Sequence, residues 1–170
     1  MKIRHTILSD IPACLELYEA ARGIMRASGN LSQWTNGYPS EAILRDDIRL
    51  GNSYVICDGN GDGNGDGDGD VIGTFACIVG EDPTYRVIEG GSWLMPELPY
   101  ATIHRLASRP ESHGIARATF DFARTLAPSL RADTHADNLI MQHILDGYGF
   151  SRRGIIHLIN GDPRIAYQLC

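Results

Sequence analysis

Apolar and polar positions change period several times along this chain, and each change predicts an element. Met1 to Leu8 alternates like a strand. Ile11, Cys14, Leu15, Tyr18, Ala21 and Met25 then recur at helical spacing behind a Ser9-Asp10 cap and Pro12, so a helix is expected from about Asp10 to Ala27. A polar, aromatic loop, Gly29 to Tyr38, leads to a second helix opened by Pro39-Ser40, carrying Ile43, Leu44 and Ile48 and stopped by Gly51. Ser53 to Cys57 and Val71 to Val79 are rich in strand-forming residues and flank a Gly/Asp tract that only a turn or loop accommodates. Beyond a connector containing Glu89-Gly90-Gly91-Ser92-Trp93, Tyr100 to Ser108 reads as a strand. Ile115, Ala118, Phe122, Ala123 and Leu126 mark a helix that Pro128 ends. Leu130 to His135 is the next strand, and Asp137 or Asn138 caps a helix bearing Met141, Ile144, Leu145 and Tyr148 that closes at Gly149. Phe150 to Ile159 and Arg164 to Leu169 form a last hairpin across Asn160-Gly161. The order β-α-α-β-β-β-α-β-α-β-β predicts an α/β fold, a mixed central sheet flanked by helices, in one domain spanning residues 1–170.

Composition narrows the class. At 43% apolar and 21% charged, the 170 residues suit a globular domain that buries a core without disulfides or metals. The net charge of −6 is concentrated, because Asp58, Asp62, Asp66, Asp68 and Asp70 share one tract; the rest of the chain is nearly neutral. No basic run interleaved with aromatics suggests a nucleic-acid partner. No apolar run suggests a membrane span. Cys14, Cys57, Cys77 and Cys170 form no C-x-x-C pair, so they read as idle thiols of a cytoplasmic protein. The tract at 58–70 matches the start of an EF-hand loop at Asp58, Asn60, Asp62 and Gly63. The twelfth position, which needs a bidentate Glu, is Gly69, so a flexible, solvated hairpin loop is expected and no metal ligand set is assigned.

The junction Leu106-Ala107-Ser108-Arg109-Pro110-Glu111-Ser112-His113-Gly114-Ile115-Ala116-Arg117 is the most informative stretch. Small residues at 114 and 116 let a ligand approach the backbone, and the first turn of the following helix offers free N–H groups and a partial positive charge. Arg109, His113 and Arg117 add charge suited to a phosphate; helix packing explains Gly114 and Ala116 equally well.

In this element order the junction resembles the acetyl-CoA-binding segment of the GNAT superfamily of N-acetyltransferases, Q/R-x-x-G-x-G/A, with Gly114-Ile115-Ala116 as its second half and Glu111 where Gln or Arg is usual. Asp133 to Asn138, Met141 and Gly149-Phe150 resemble the strand-helix-strand that ends such domains. The resemblance covers essentially the whole chain and implies acetyl-CoA as cosubstrate. Amides from Ser112 through His113, Gly114, Ile115 and Ala116 to Arg117 would hold its pyrophosphate, Leu106, Ala107 and Ser108 would pair with the pantetheine arm, and Asn138 and Met141 would contact the cofactor. It further implies direct transfer of the acetyl group to a small-molecule or peptide amine, and a homodimer as an assembly open to the chain.

For the acceptor, Trp34 and Tyr38 in the loop between the first helices, with Trp93, are the candidate pocket walls; as aromatics they serve as core anchors just as readily. A base is needed to strip the amine of its proton, and His104, His135 and Glu89 are the candidates, the two imidazoles also reading as ordinary strand residues. The tyrosine that serves as acid in the family falls here on Leu145, and Tyr148, three residues on, faces another direction. Two alternatives stand beside the transferase: a non-catalytic acyl-CoA-binding module, and a calcium- or partner-binding domain organised around the Asp-Gly loop.

Overall fold

The computed structural model describes residues 1–60 and 69–170. The flexible-loop and calcium expectations for 58–70 therefore fall largely outside the described residues, Asp62 and Gly63 included. Among the described residues no group of His, Cys, Asp and Glu is arranged to hold a metal ion, and no helix is long and apolar enough to cross a membrane.

The element order matches the expected one: β1 (Lys2–His5), α1 (Ile11–Ala27), α2 (Glu41–Arg49), β2 (Ser53–Cys57), β3 (Val71–Val79), β4 (Tyr100–Ser108), α3 (Ile115–Ala123), β5 (Ser129–Thr134), α4 (Leu139–Tyr148), β6 (Ser151–His157) and β7 (Pro163–Leu169). The sheet runs β1-β2-β3-β4-β5-β7-β6. All its neighbours are antiparallel except β4 and β5. The first strand is shorter than expected because Asp10 does not cap α1. Its carboxylate accepts from the Ile7 N–H at 2.8 Å and pairs with Arg4 at 2.6 Å, curling Leu8–Asp10 into a 3-10 turn. Ser40 and Asn138 cap α2 and α4, their side-chain oxygens accepting from Ile43 N–H and Met141 N–H. Gly149, at φ 109°, takes the left-handed conformation that ends α4.

Two irregularities shape the centre of the sheet. The parallel pairing of β4 with β5 stops at Ile103 opposite Ala132, after which β4 follows β3 and β5 follows β7, so the sheet splays open. Just there β4 bulges: Ala76 pairs with His104 and Thr74 with Ala107, leaving Arg105 and Leu106 opposite Phe75. Arg105 sits at φ 54°, a left-handed conformation costing a non-glycine residue about 1–3 kcal/mol. Its guanidinium offsets that cost, lying 2.8 Å from Asp47 on α2 and donating to the Tyr38 hydroxyl at 3.2 Å.

One core, including Phe75, Ile103, Phe120, Leu130, Leu145 and Tyr167, lies between the sheet and α3 and α4. A second, around Cys14, Leu17, Tyr18, Leu44 and Val55, anchors α1 and α2 on the opposite face. Burial pushes the Cys14 and Cys77 thiols up to about 11, so both remain unreactive thiols at neutral pH.

Candidate functional site

Two cavities open from the gap between β4 and β5. The first, about 520 Å³, is bounded by the end of β4, the start of α3, α4 and the last turns of α1. Along 106–117 it is lined by a run that includes the small residues Ala107, Ser108, Ser112, Gly114 and Ala116. Gly114 holds φ 76° immediately before α3 and has no side chain to cap it, so the first amides of the helix face outward as a ready anion cradle. A Cβ added at Gly114 would touch nothing closer than the Met1 Cε at 3.6 Å, so the space beside it is open. Leu106, Ala107, Ser108, Ser112, His113, Gly114, Ile115, Ala116, Arg117, Asn138 and Met141 all line this cavity. Arg109 does not. Its N–H continues the β3 edge by donating to the Ile72 carbonyl, and its guanidinium leans to Asp70 at 3.5 Å.

The second cavity, about 640 Å³, shares Met25, Leu106, Phe120, Asn138 and Met141 with the first and lies on the other side of the bulge. Trp34 and Tyr38 line it as an aromatic lid, Trp34 edge-on to Tyr18 at 5.7 Å and to Tyr38 at 6.3 Å. Gln33 ties the lid down, its Oε1 accepting from the Asn30 and Asn138 side-chain amides, each at 2.9 Å.

The polar wall of this second cavity centres on His104. Its Nε2 lies 2.9 Å from Asp82 Oδ2, and its Nδ1 lies 3.8 Å from Asp133 Oδ1. Asp82 is positioned by Thr84, whose N–H and hydroxyl donate to Oδ1 at 2.9 and 2.7 Å. Burial pushes the Asp82 carboxyl up, but the bonds from His104 and Thr84 outweigh it and hold the group down at about 2. An ionised Asp82 accepts a hydrogen bond from the Nε2–H of the imidazole, which in the neutral ring leaves Nδ1 as the acceptor nitrogen. Asp133 is fixed from behind by the Tyr85 hydroxyl at 2.6 Å. Full burial, then the Asp133 charge, drive that phenol well above its ordinary range, so it stays a donor. Arg164 completes the wall.

The other candidates lie elsewhere, each for a local reason. His135 shares strand parity with Asp133, but β5 ends at Thr134 and the turn carries the imidazole away, where its Nδ1 accepts from the Asp137 N–H at 3.1 Å. Glu89 is pinned beside β6 by a bridge to Ile155, with its carboxylate exposed 3.9 Å from His157. Trp93 stacks on Tyr85 at 5.5 Å, donates to the Tyr85 carbonyl and carries Arg131 on its face at 4.2 Å, so it buttresses the residue that holds Asp133 and lines neither cavity. Leu145 is buried in the core. Tyr148 lines the first cavity with its hydroxyl bonded to Asp121 at 2.5 Å. Asp82, Arg105 and Arg164 had no signal in the sequence beyond being charged residues in or near predicted strands, and Asp133 only its place in the Asp133–Asn138 block.

No protein-family model matches the sequence, and no curated protein does. Solved structures do. A GNAT-family acetyltransferase from Streptococcus agalactiae is 31% identical, with a TM-score of 0.83, the match covering 98% of this chain and 93% of that one. An alanine N-acetyltransferase of ribosomal protein from Brucella melitensis (19% identical, TM-score 0.57, 99% of each chain) shares the fold. So does a Salmonella typhimurium protein solved with its cofactor acetyl-CoA (16% identical, TM-score 0.59, 99% of this chain and 92% of that one).

Proposed function

The chain belongs to the GNAT family of acetyltransferases, and from that premise we propose that it moves an acetyl group from acetyl-CoA directly to a primary amine, with His104 as the general base. The observation that carries this reading is the His104 pair with Asp82 on the wall of a cavity that meets the backbone cradle at the β4 bulge. Acetyl-CoA fits the first cavity by chemistry: phosphate oxygens suit the uncapped amides after Gly114, and an apolar wall with a strand edge not paired to β5 at Leu106 to Ser108 suits the pantetheine arm. The thioester then lies at the bulge, where the amides of Arg105 and Leu106 are out of ladder register; the Leu106 N–H polarises the carbonyl.

The amine arrives as an ammonium from the second cavity and gives one proton to His104 Nδ1. The imidazolium so formed faces carboxylates on both sides, Asp82 and Asp133. The nitrogen lone pair attacks the thioester carbon, a C–N bond forms, and the C–S bond breaks with its electron pair on sulfur. The second amine proton leaves for solvent, and the thiolate takes a proton from water because Leu145 fills the position of the family's acid. Products are the acetamide, CoA and one net proton.

His104→Gln is expected to lower kcat by about 10²-fold or more and to flatten the acidic limb of the pH–rate profile, while calorimetric binding of acetyl-CoA is unchanged. His135→Ala and Glu89→Gln stay within about threefold of the parent. A His104→Gln profile that keeps its acidic limb would remove His104 as the base. Acetyl-CoA binding without turnover of any amine would make the chain an acyl-CoA-binding module.

A further inference from the structure

Arg164, the second residue of β7, lines the acceptor cavity with only 7% of its surface exposed. A guanidinium carries five N–H donors in a planar fork. Here Nη1 donates to the Pro163 carbonyl at 2.9 Å. The remaining approaches are longer: Nε lies 4.0 Å from Asp133 Oδ2 and Nη2 3.8 Å from Asp162 Oδ2. Those distances balance the charge without reaching hydrogen-bond length, so a buried fork faces a cavity with donors to spare.

The neighbours say what should fill it. Arg164 and His104 flank the same carboxylate, one near each oxygen of Asp133. A molecule whose nitrogen reaches His104 therefore passes within a short span of Arg164. Around the cavity, acid and base alternate: Asp82, His104, Asp133, Arg164, Asp162. A polyamine would set a second cation against Arg164, and a dianion would meet Asp133 and Asp162. A compact zwitterion matches both signs, and a carboxylate is the planar, two-oxygen acceptor that a guanidinium fork binds best. We infer that the acceptor is a small amino acid, its amine delivered to His104 and its carboxylate held by Arg164. This rests on the acetyltransferase reading and names its substrate class.

The test is a matched panel: free amino acids, their carboxamides and the corresponding decarboxylated amines, each assayed with acetyl-CoA. The parent protein should favour the acids by about tenfold or more in kcat/KM, mainly through KM. Arg164→Gln should bring acid and carboxamide within about threefold of each other while acetyl-CoA binding stays unchanged. Arg164→Lys, which keeps the charge at that buried position but not the fork, should retain part of the preference and covers the case in which the Gln variant does not fold. A parent that acetylates amines or carboxamides as well as acids overturns the inference and leaves the transferase standing. Acetyl-CoA binding with no acetylation of any panel member overturns the inference, and the transferase reading falls with it when peptide amines added to the panel are also left unacetylated.

Discussion

The two cavities that meet at the β4 bulge differ in how they are assembled. The first draws most of its wall from two continuous stretches, 106–117 and 138–148, and offers mainly apolar surface beside the amides that open α3. The second collects His104, Asp82, Asp133 and Arg164 from separate elements, and its polarity comes from side chains held by other side chains. A backbone cradle tolerates most changes outside its glycine. A side-chain wall depends on every partner, so the same size of perturbation has different reach on the two sides.

The largest effect should come from filling the cradle. Gly114→Trp is expected to weaken acetyl-CoA binding by more than about 100-fold in calorimetric titration. The left-handed φ at this position costs the fold only about 1–2 kcal/mol. Gly114→Ala, which carries the same backbone cost in open space, separates the contributions: it should lose a little stability and keep most of the binding. If Ala and Trp weaken binding equally, strain rather than occupancy is responsible, and the cradle is not where acetyl-CoA lies.

That difference in assembly also explains what could be read from the sequence. Tyr100–Ser108 has its expected bounds, α3 begins directly after Gly114, and Asn138 caps α4, because each is written in adjacent residues. Leu106 to Arg117 could be picked out for the same reason. The bulge could not, since no local preference puts an arginine at φ 54°; that backbone is held by Asp47, 58 positions earlier. Nor could which of His104, His135 and Glu89 lines the second cavity. It turns on β5 ending one residue before His135, on the connector at Glu89 lying against β6, and on Asp82 arriving 22 positions ahead of His104. Trp93 shows the same limit, as its ring props Tyr85 from behind.

A milder change should act mainly on the second cavity. Gln33→Leu removes the oxygen shared by Asn30 and Asn138 and leaves two amide donors unpaired, a loss of about 1–3 kcal/mol. Asn138 keeps its bond to the Met141 N–H, so α4 is undisturbed. The acceptor KM should rise about fivefold with the acetyl-CoA Kd within about twofold, and Gln33→Glu, which preserves an acceptor oxygen, should recover most of the loss. An acetyl-CoA Kd that rises in step with the acceptor KM would mean that the lid serves both cavities and the contrast between them is weaker than the geometry indicates.

The smallest effect concerns stability and distinguishes the side-chain wall from ordinary buried charge. Asp82 is held at about 2, below the ordinary 3.8 of its kind, by His104 and Thr84 against the opposing effect of burial. A carboxylate lowered in this way adds stability above its ordinary value and loses it as pH falls from about 4 through about 2, when the folded state too takes up the proton. Asp47 runs the other way: burial raises its carboxyl despite the Arg105 charge, so acid relieves a cost there. Asp82→Asn should therefore unfold at lower urea than the parent at pH 7, by about 1 kcal/mol, with the gap closing as pH approaches 2. A gap that stays constant with pH would mean that Asp82 contributes through packing and its bond to the Thr84 backbone, and that the charge facing His104 is weaker than the 2.9 Å contact implies.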